Sequence, residues 1–273
     1  MKVKKIFSKN ADYQKLEVLK SNRNKRYKYK EFFVEGVRNI NQAIKNNWEF
    51  SSIIYNSEIE LSNWAKNIIN TVKTDLNYEL TSALMNDISS KEDASEILAI
   101  VKMRNDIFDF NLSKNPLILL FDRPSNKGNL GTIIRSCDAF GVDGIIVTGH
   151  SVDFYDPDVI SSTMGSFFNI PCIRISNNKN IFEYIEKIKS RYVDFQVIGT
   201  TSHKQKNISN INFKNPTLLM IGNETDGLNN VLSNYCDELA TIPMSDNSSA
   251  SSFNVACAGT VFLYEVVRQR LQQ

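Results

Sequence analysis

The sequence predicts an α/β protein in which a small N-terminal α/β domain precedes a doubly wound parallel sheet. Short continuous apolar runs, typical of buried parallel strands, recur after residue 115 with helical patterns between them. Residues 1–105 alternate shorter strand and helix patterns. A polar stretch rich in Asp, Asn, Ser and Lys separates the two parts. We therefore expect one domain at residues 1–105, a linker at 106–115 and a second domain at 116–273.

Composition places the chain among ordinary globular proteins. Its 273 residues are 42% hydrophobic and 23% charged, enough for one large or two modest domains. No run reaches the roughly 18 apolar residues of a membrane helix, and the basic N-terminus lacks the apolar stretch of a secretory signal. We therefore expect a cytoplasmic protein with no membrane association. The four cysteines lack CxxC spacing and there are two histidines, which disfavours a zinc site.

In the first part, hydrophobic periodicity predicts alternating elements. A short helix precedes the first strand, and an apolar face made by Val37, Ile40, Ala43 and Ile44 marks the next helix. The expected strands are Phe32 to Val34, Ser51 to Tyr55 and Ile97 to Val101. The expected helices are Asp12 to Leu19, Val37 to Ile44, Leu61 to Val72 and Thr81 to Met85.

In the second part, six apolar runs predict the strands of the parallel sheet. The expected strands are Leu117 to Phe121, Gly144 to Thr148, Cys172 to Ile175, Phe195 to Gly199, Thr217 to Ile221 and Leu239 to Ile242. The expected helices are Leu130 to Phe140, Val159 to Met164, Ile181 to Tyr192 and one that begins at about Ser252. Ligands of such domains bind at the carboxyl ends of the strands.

Positive charge is concentrated at the N-terminus. The net charge is +2, yet residues 1–30 contain eleven Lys and Arg against Asp12 and Glu17. Tyr27 and Tyr29 alternate there with lysines, which suits an RNA surface because cations meet phosphates and rings stack on unpaired bases. A solvated basic tail or an ordinary strand edge explains the same pattern. The candidate RNA-binding residues are Arg23, Lys25, Arg26, Lys28 and Lys30.

Polar clusters follow three of the predicted strands. The first spans Asp122 to Arg135 (DRPSNKGNLGTIIR), where glycines near a helix start permit close approach of a ligand. It fits neither the dinucleotide fingerprint nor a P-loop. The second, Gly222 to Leu228 (GNETDGL), places a carboxylate at a strand tip. On its own, the second cluster is equally well explained as a turn with an incidental acid.

The third cluster spans Ile242 to Arg270, with a strand exit, a Ser/Asn-rich loop and a helix. Ser252 is the expected N-cap of that helix. Gly259 costs about 1 kcal/mol of helix propensity, so we expect another element to approach it closely. The stretch is compatible with a ligand site at a helix N-terminus, but taken alone it favours a C-terminal packing helix behind a flexible loop.

Taken together, the three clusters resemble the motifs of the SpoU/TrmH family of RNA ribose 2′-O-methyltransferases, in the SPOUT superfamily. The first family motif, N-x-G-x-x-x-R, matches Asn129, Gly131 and Arg135. The other two motifs also match, in the same order along the chain. They fall on Gly222, Glu224 and Gly227, and on Ile242, Pro243, Met244, Ser252, Phe253, Asn254 and Val255.

The resemblance implies methyl transfer from S-adenosylmethionine (AdoMet) to a ribose 2′-hydroxyl, without a metal. It implies that Arg135 is catalytic and that other motif side chains shape the site, namely Asn129, Glu224, Ser252 and Asn254. Backbone groups would hold the adenine and ribose of the cofactor at Thr200, Gly222, Ile242 and Phe253.

The same resemblance implies a C-terminal trefoil knot and a homodimer that packs through the knot region and completes each site from both chains. One face of the last helix is then expected to serve either the core or the dimer. That face comprises Val255, Ala258, Gly259, Phe262 and Val266.

Residues 1–105 look like the RNA-binding domain often fused ahead of this catalytic domain, which favours ribosomal RNA over transfer RNA as the partner. Three other functions remain as alternatives. A transfer-RNA 2′-O-methyltransferase fits the same motifs. A non-catalytic RNA-binding relative is disfavoured by the intact motif residues, and a nucleotide-dependent oxidoreductase is disfavoured by the missing G-x-G-x-x-G.

Overall fold

The computed structural model describes residues 2–91, 94–105, 112–203 and 205–272. The chain divides into two compact units, the first made of Met1–Asn105 with Asp153–Asn169 and the second of Asp106–Val152 with Ile170–Gln273. Residues 153–169 therefore belong to the first unit, whereas the sequence predicts them in the second domain, after a single linker. Residues 106–111 of the predicted linker lie outside the described residues.

The strands of the described residues include every one that the sequence predicts. Three further strands are β1, β4 and β10, which are short or polar and carry little apolar signal. The strands are β1 (Val3–Ile6), β2 (Glu31–Glu35), β3 (Phe50–Asn56), β4 (Asn77–Leu80), β5 (Ile97–Lys102), β6 (Leu117–Phe121), β7 (Gly144–Thr148), β8 (Cys172–Ile175), β9 (Gln196–Thr200), β10 (Lys206–Asn207), β11 (Thr217–Ile221) and β12 (Glu238–Thr241).

The helices match the predicted ones to within a few residues at each end, with α2 and α9 in addition. Nearly all of them begin after an Asn, Ser, Thr or Asp whose side chain accepts a hydrogen bond from the first turn. The helices are α1 (Ala11–Ser21), α2 (Arg23–Tyr29), α3 (Val37–Lys45), α4 (Asn63–Thr71), α5 (Ser82–Ile88), α6 (Lys127–Ala139), α7 (Pro157–Ser162), α8 (Asn178–Lys189), α9 (Asn230–Tyr235) and α10 (Val255–Arg270).

The first unit is built on a mixed sheet of five strands in the order β1-β4-β3-β5-β2. Strand β5 runs antiparallel to both β2 and β3, whereas β4 runs parallel to β1 and β3. Apolar residues of the strands pack with Tyr13, Leu16 and Leu19 of α1 and with Met85 of α5. The unit is therefore a helix-covered α/β layer with its own core, as the alternating pattern predicts.

The second unit is built on a parallel sheet of seven strands in the order β10-β12-β9-β11-β6-β7-β8. Its central strands are fully buried, which explains their uninterrupted apolar sequences. In the register of this sheet, Phe121 of β6 lies between Ile221 of β11 and Val147 of β7. The loops that leave β6 and β11 therefore start side by side at the carboxyl edge, where parallel α/β sheets bind ligands.

Candidate active site

The three motif segments meet around the carboxylate of Glu224, in the loop after β11. Its Oε2 accepts hydrogen bonds from the backbone N–H of Ser125 (2.9 Å) and from the Ser125 hydroxyl (2.8 Å). Its Oε1 accepts from the backbone N–H of Asn126 (3.0 Å) and from the Asn129 side-chain amide (3.3 Å). The carboxylate therefore holds the loop after β6 against the loop after β11.

Asn129 extends this contact to the third motif. The Asn254 side-chain amide donates to the Asn129 Oδ1 at 3.1 Å, so Glu224, Asn129 and Asn254 form a continuous hydrogen-bonded chain. We call this chain the motif bridge. It joins residues that are 95 and 125 positions apart in sequence, which is how three separate motifs become one site.

Two helix starts differ from the prediction. Asn254, not Ser252, is the N-cap of α10, because its Oδ1 accepts from the N–H groups of Ala256 (2.9 Å) and Cys257 (3.2 Å). Helix α6 begins at Lys127, earlier than the predicted Leu130, with Asn126 as its N-cap. Serine and asparagine are both good caps, so composition alone did not locate the first helical residue.

Two opposing effects act on the pKa of Glu224. Partial burial raises it, but hydrogen bonds to the carboxylate from Ser125, from the Glu224 backbone and from Asn126 outweigh burial and lower the pKa below its ordinary value. At neutral pH the group is therefore a carboxylate whose oxygens already accept several donors. Such a group suits an anchor better than a proton acceptor.

A cavity of about 490 Å³ opens beside the motif bridge, within the range of small-molecule sites of about 300–1,000 Å³. It brings together all four predicted cofactor residues, Thr200, Gly222, Ile242 and Phe253, with Ser252 and Glu224. The rest of its lining includes Met244, Val255, Ala258 and Phe262 from the third motif and the last helix. The sequence did not single out Gln205, Asn230 and Ser233, which also line the cavity together with Thr201, Ser202 and His203 of the loop after β9.

Glycines allow the loop after β11 to fold tightly behind this cavity. A Cβ on Gly222 would lie 2.2 Å from the backbone of Gly227 and Leu228, so no side chain fits there. Gly227 itself has a φ of 69°, in the left-handed region that favours glycine. The spacing of the second motif therefore reflects backbone geometry as well as the placement of Glu224.

Arg135 stands apart from the cavity. It is an exposed residue of α6 and does not line the pocket. Among the described residues, no hydrogen bond or ion pair to its guanidinium is found. The structure thus brings together every predicted site residue of the second unit except the proposed catalytic arginine.

Helix α10 packs closely on α6, which explains Gly259. A Cβ at Gly259 would lie 2.5 Å from Cδ1 of Ile133 on α6. Thr260 and Ser136 share a hydrogen bond of 2.8 Å along the same contact. Gly259, Phe262 and Val266 are buried, while Val255 and Ala258 line the cavity, so the face predicted for core or dimer belongs to this chain's own interior.

The basic run of the first unit forms helix α2, not a strand entry. Lys25, Lys28 and Lys30 are at least partly exposed, and Arg23 lies 5.7 Å from the ring centre of Tyr27. Arg26 is different, because its side chain is 1% exposed and cannot contact RNA in this fold. Its Nε donates to Asp153 at 2.9 Å, and its guanidinium also pairs with Asp156 at 3.3 Å.

Two further observations bear on the class of site. Within the described ranges, no group of three or more His, Cys, Asp or Glu is placed to hold a metal ion. None of the helices in that same part of the chain is long and apolar enough to cross a membrane.

The second unit is a parallel α/β fold with a cavity lined by the loops after β9, β11 and β12, at the edge of the sheet where such folds bind small molecules. The SpoU rRNA methylase family model matches residues 116–264, and the SpoU L30e-like domain model matches residues 10–99. The chain therefore belongs to the SpoU rRNA methylase family.

Named relatives match either nearly the whole chain or a little more than half of it. A 23S rRNA (uridine(2479)-2′-O)-methyltransferase of Streptomyces viridochromogenes is 39% identical over 98% of this chain and 93% of its own length. A 23S rRNA (guanosine-2′-O-)-methyltransferase RlmB of Pseudomonas aeruginosa is 33% identical over 57% of this chain and 60% of its own length.

Solved structures agree with these relatives. The SpoU methyltransferase AviRb from Streptomyces viridochromogenes, in complex with the cofactor AdoMet, superimposes with a TM-score of 0.91 at 39% identity, over 96% of this chain and 98% of that one. An AdoMet-bound rRNA methyltransferase from Sinorhizobium meliloti superimposes with a TM-score of 0.82 at 26% identity, over 97% of this chain and 98% of that one. The predicted fold class and family are confirmed.

Proposed function

We propose that this protein transfers a methyl group from AdoMet to the ribose 2′-hydroxyl of a nucleotide in 23S rRNA, with a uridine as the first candidate. The observation that carries this proposal is the motif bridge, which ties Glu224, Asn129 and Asn254 together beside a cofactor-sized cavity. The uridine assignment rests on a relative that is 39% identical over 98% of this chain.

The cavity fits AdoMet in size and chemistry. Ile242, Phe253 and Phe262 offer an apolar side for the adenine, while Thr200 and Asn223 offer polar groups for the ribose and the amino-acid end. AdoMet supplies an electrophilic methyl carbon, which needs no metal for activation. The chain's task is to hold the 2′-oxygen in line with that carbon, and such positioning contributes about 7–11 kcal/mol in favourable cases.

Within the motif bridge, Glu224 acts as an anionic anchor. Its carboxylate is already bonded to Ser125, Asn126 and Asn129, so it fixes the start of α6 instead of taking a proton. Asn254 joins the start of α10 to the same point. The two helix N-termini, each with a partial positive charge, are thereby fixed at the site.

Arg135 supplies an exposed cation for the RNA. Arginine stays protonated in proteins, so it serves poorly as a general base. It suits the phosphate beside the target ribose and the negative charge that develops on the 2′-oxygen. The hydroxyl proton then leaves to an RNA phosphate oxygen or to water.

A homodimer would complete the site. Arg135 does not line the cavity of its own chain, and α10 carries an outward stripe of Cys257, Val261 and Tyr264 at helical spacing. Val261 is 42% and Tyr264 56% exposed, an arrangement that favours a partner helix. We propose that a second copy covers this stripe and places its Arg135 at the first chain's cavity. The trefoil threading of the C-terminal segment stays a prediction.

The first unit is the proposed RNA-binding part. Lys25, Lys28 and Lys30 of the basic run remain available for phosphates, with Arg23 and Tyr27 beside them. Arg26 is withdrawn from this set because it is buried. An rRNA substrate implies action in the cytoplasm, where ribosomes are assembled.

Mapping of 2′-O-methyl groups in ribosomal and transfer RNA, in cells with and without the gene, tests the proposal. We expect one 23S rRNA ribose to lose its methyl group in the absence of the gene, and Arg135→Ala to fail to restore it. Loss of a transfer-RNA methyl group instead would support the alternative substrate. Unchanged methylation of both RNAs would contradict the proposal.

A further inference from the structure

Asp122, at the end of β6, is a buried carboxylate that the proposed mechanism does not use. Its side chain is 1% exposed and does not line the cavity. The Oδ1 accepts a hydrogen bond of 2.6 Å from the Thr148 hydroxyl, and the Oδ2 accepts from the Asn229 backbone N–H (3.0 Å) and side-chain amide (3.1 Å). A buried carboxylate needs such partners, and because these belong to two other segments of the chain, Asp122 also joins those segments to the end of β6.

Arg123 continues the same network. Its Nε donates to the Asp122 Oδ2 at 3.1 Å, and its guanidinium donates to the Gly227 carbonyl at 3.3 Å and lies 3.7 Å from the Asp226 carboxylate. Its own carbonyl accepts a 2.7 Å hydrogen bond from the Asn223 side chain. The pair Asp122–Arg123 therefore contacts the loop after β11 near its start at Asn223, in its middle at Asp226 and Gly227, and at its end at Asn229.

The backbone of Arg123 gives a second, independent observation. Its φ is 50°, in the left-handed region that a residue with a long side chain adopts only where its surroundings stabilise it. The Thr148 hydroxyl accepts a hydrogen bond from the Arg123 N–H at 3.2 Å, which fixes this conformation. The strained turn aims the arginine side chain at the back of the loop.

The front of that loop is the cavity wall. Residues 222–228 line the cavity, and Glu224 within them binds Ser125 and Asn126, which follow Arg123 closely in sequence. The segment after β6 therefore contacts the loop after β11 on both sides, through Arg123 at the back and through Ser125 and Asn126 at the front. We propose that Asp122 and Arg123, the brace, are positioning residues that set the affinity of the cavity for AdoMet by holding residues 222–228 in place. This inference rests on the proposed function.

The test compares Asp122→Asn with Asp143→Asn. Asp143 is the control, because it too is a carboxylate that accepts several hydrogen bonds, three from Ser113 and Leu117, but it lies just before β7, at the amino end of the sheet. An amide at position 122 presents an N–H₂ group or a weaker acceptor to the donors of Asn229. Since misplacement by about 1 Å costs on the order of 100-fold, we expect the Kd and KM for AdoMet to rise about 10- to 100-fold in Asp122→Asn. We expect Asp143→Asn to keep the wild-type Kd and KM.

The readouts separate positioning from mere loss of folded protein. Positioning predicts a raised KM for AdoMet with activity restored at saturating AdoMet, and an unchanged Kd for the RNA. A merely structural role predicts a lower kcat from a smaller active fraction at wild-type KM, and that result would overturn the inference.

Arg123→Gly supplies a second variant that is expected to fold well, since glycine relieves the left-handed φ while removing the side chain. It should also weaken AdoMet binding, measured by calorimetry. A wild-type Kd in this variant would overturn the brace and leave the proposed function standing. Failure of the wild-type protein itself to bind AdoMet would overturn the proposed function and the brace with it.

Discussion

At the scale of the residue, Asn254 has two separable roles. Its Oδ1 caps α10, and its amide N–H donates to Asn129. The sequence identified Asn254 through its motif, yet assigned the cap to Ser252, because several residues before a helix can accept the same hydrogen bond. The two roles use different atoms, so substitutions can tell them apart.

Asn254→Ala removes both roles, and we expect it to cost about 1 kcal/mol of stability together with activity. Asn254→Asp keeps the cap acceptor but loses the donor to Asn129. We expect its free energy of unfolding to stay within about 0.5 kcal/mol of the wild-type value, while the rate of methyl transfer falls about 10- to 100-fold. Urea unfolding and initial rates measure the two effects. Wild-type activity in Asn254→Asp would show that the motif bridge is dispensable.

Glu224 gives stability a defined pH dependence. Because its folded-state pKa is lowered, its contribution is present above the unfolded pKa of about 4.3 and is lost as the pH falls through the lowered folded value. We expect Glu224→Gln to be less stable than wild type at neutral pH and the difference to shrink below about pH 4.3. Denaturant unfolding at several pH values checks this, and a difference independent of pH would contradict it.

At the scale of the element, the α6–α10 contact depends on the space above Gly259. Gly259→Ala gains about 1 kcal/mol of helix propensity, but its methyl group meets the Ile133 Cδ1. Ile133→Val removes that atom and alone costs about 0.5–1.5 kcal/mol. We expect Gly259→Ala to be more favourable in the Ile133→Val background, seen as a favourable coupling in a double-mutant cycle. Additive free energies of unfolding would argue against the close contact.

Helix α2 shows why charge alone does not assign a function. Arg26 and Lys28 look equivalent in sequence, but the helical turn buries Arg26 between Asp153 and Asp156 and exposes Lys28. The partner carboxylates are more than a hundred residues away, so periodicity could not reveal the pairing. The Tyr–Lys alternation has the strand period and therefore also suggests a strand edge, but these residues form α2 and the run enters β2 only at Glu31.

We therefore expect substitution of Arg26 to lower stability and substitution of Lys28 to weaken RNA binding. Arg26→Met leaves the carboxylates of Asp153 and Asp156 without their cationic partner, and it should lower the free energy of unfolding by about 3–5 kcal/mol. Lys28→Ala should change the free energy of unfolding by less than about 0.5 kcal/mol. It should weaken RNA binding and reduce the slope of log affinity against log salt concentration by about one. Thermal unfolding and RNA titrations at several salt concentrations measure both. Equal RNA affinity for wild type and Lys28→Ala would remove α2 from the RNA surface.

At the scale of the whole molecule, the fold class followed from the sequence because buried parallel strands have continuous apolar runs. Strands β1, β4 and β10 escaped prediction because they are short and carry charged or polar residues. Residues 153–169 escaped because their packing with the first unit depends on contacts distant in sequence. The motifs marked the candidate site in the sequence, but the motif bridge could not be predicted, since it depends on the order of strands in the sheet.

The proposed homodimer makes a prediction that a single chain cannot satisfy. If Arg135 of one chain serves the cavity of its partner, coexpressed Arg135→Ala and Glu224→Gln chains form mixed dimers with one intact site. At random pairing, we expect about a quarter of the wild-type activity per site from two nearly inactive parents. Activity no greater than the sum of the parents would place Arg135 at its own chain's cavity.

The central claim is methyl transfer to a ribose 2′-hydroxyl of 23S rRNA. The most direct measurement incubates the purified protein with methyl-labelled AdoMet and unmodified 23S rRNA, followed by alkaline hydrolysis of the RNA. A 2′-O-methyl group blocks cleavage of the adjacent phosphodiester, so we expect label in one alkali-resistant dinucleotide and loss of that label with Arg135→Ala. Label in a mononucleotide, or none in RNA, would contradict it.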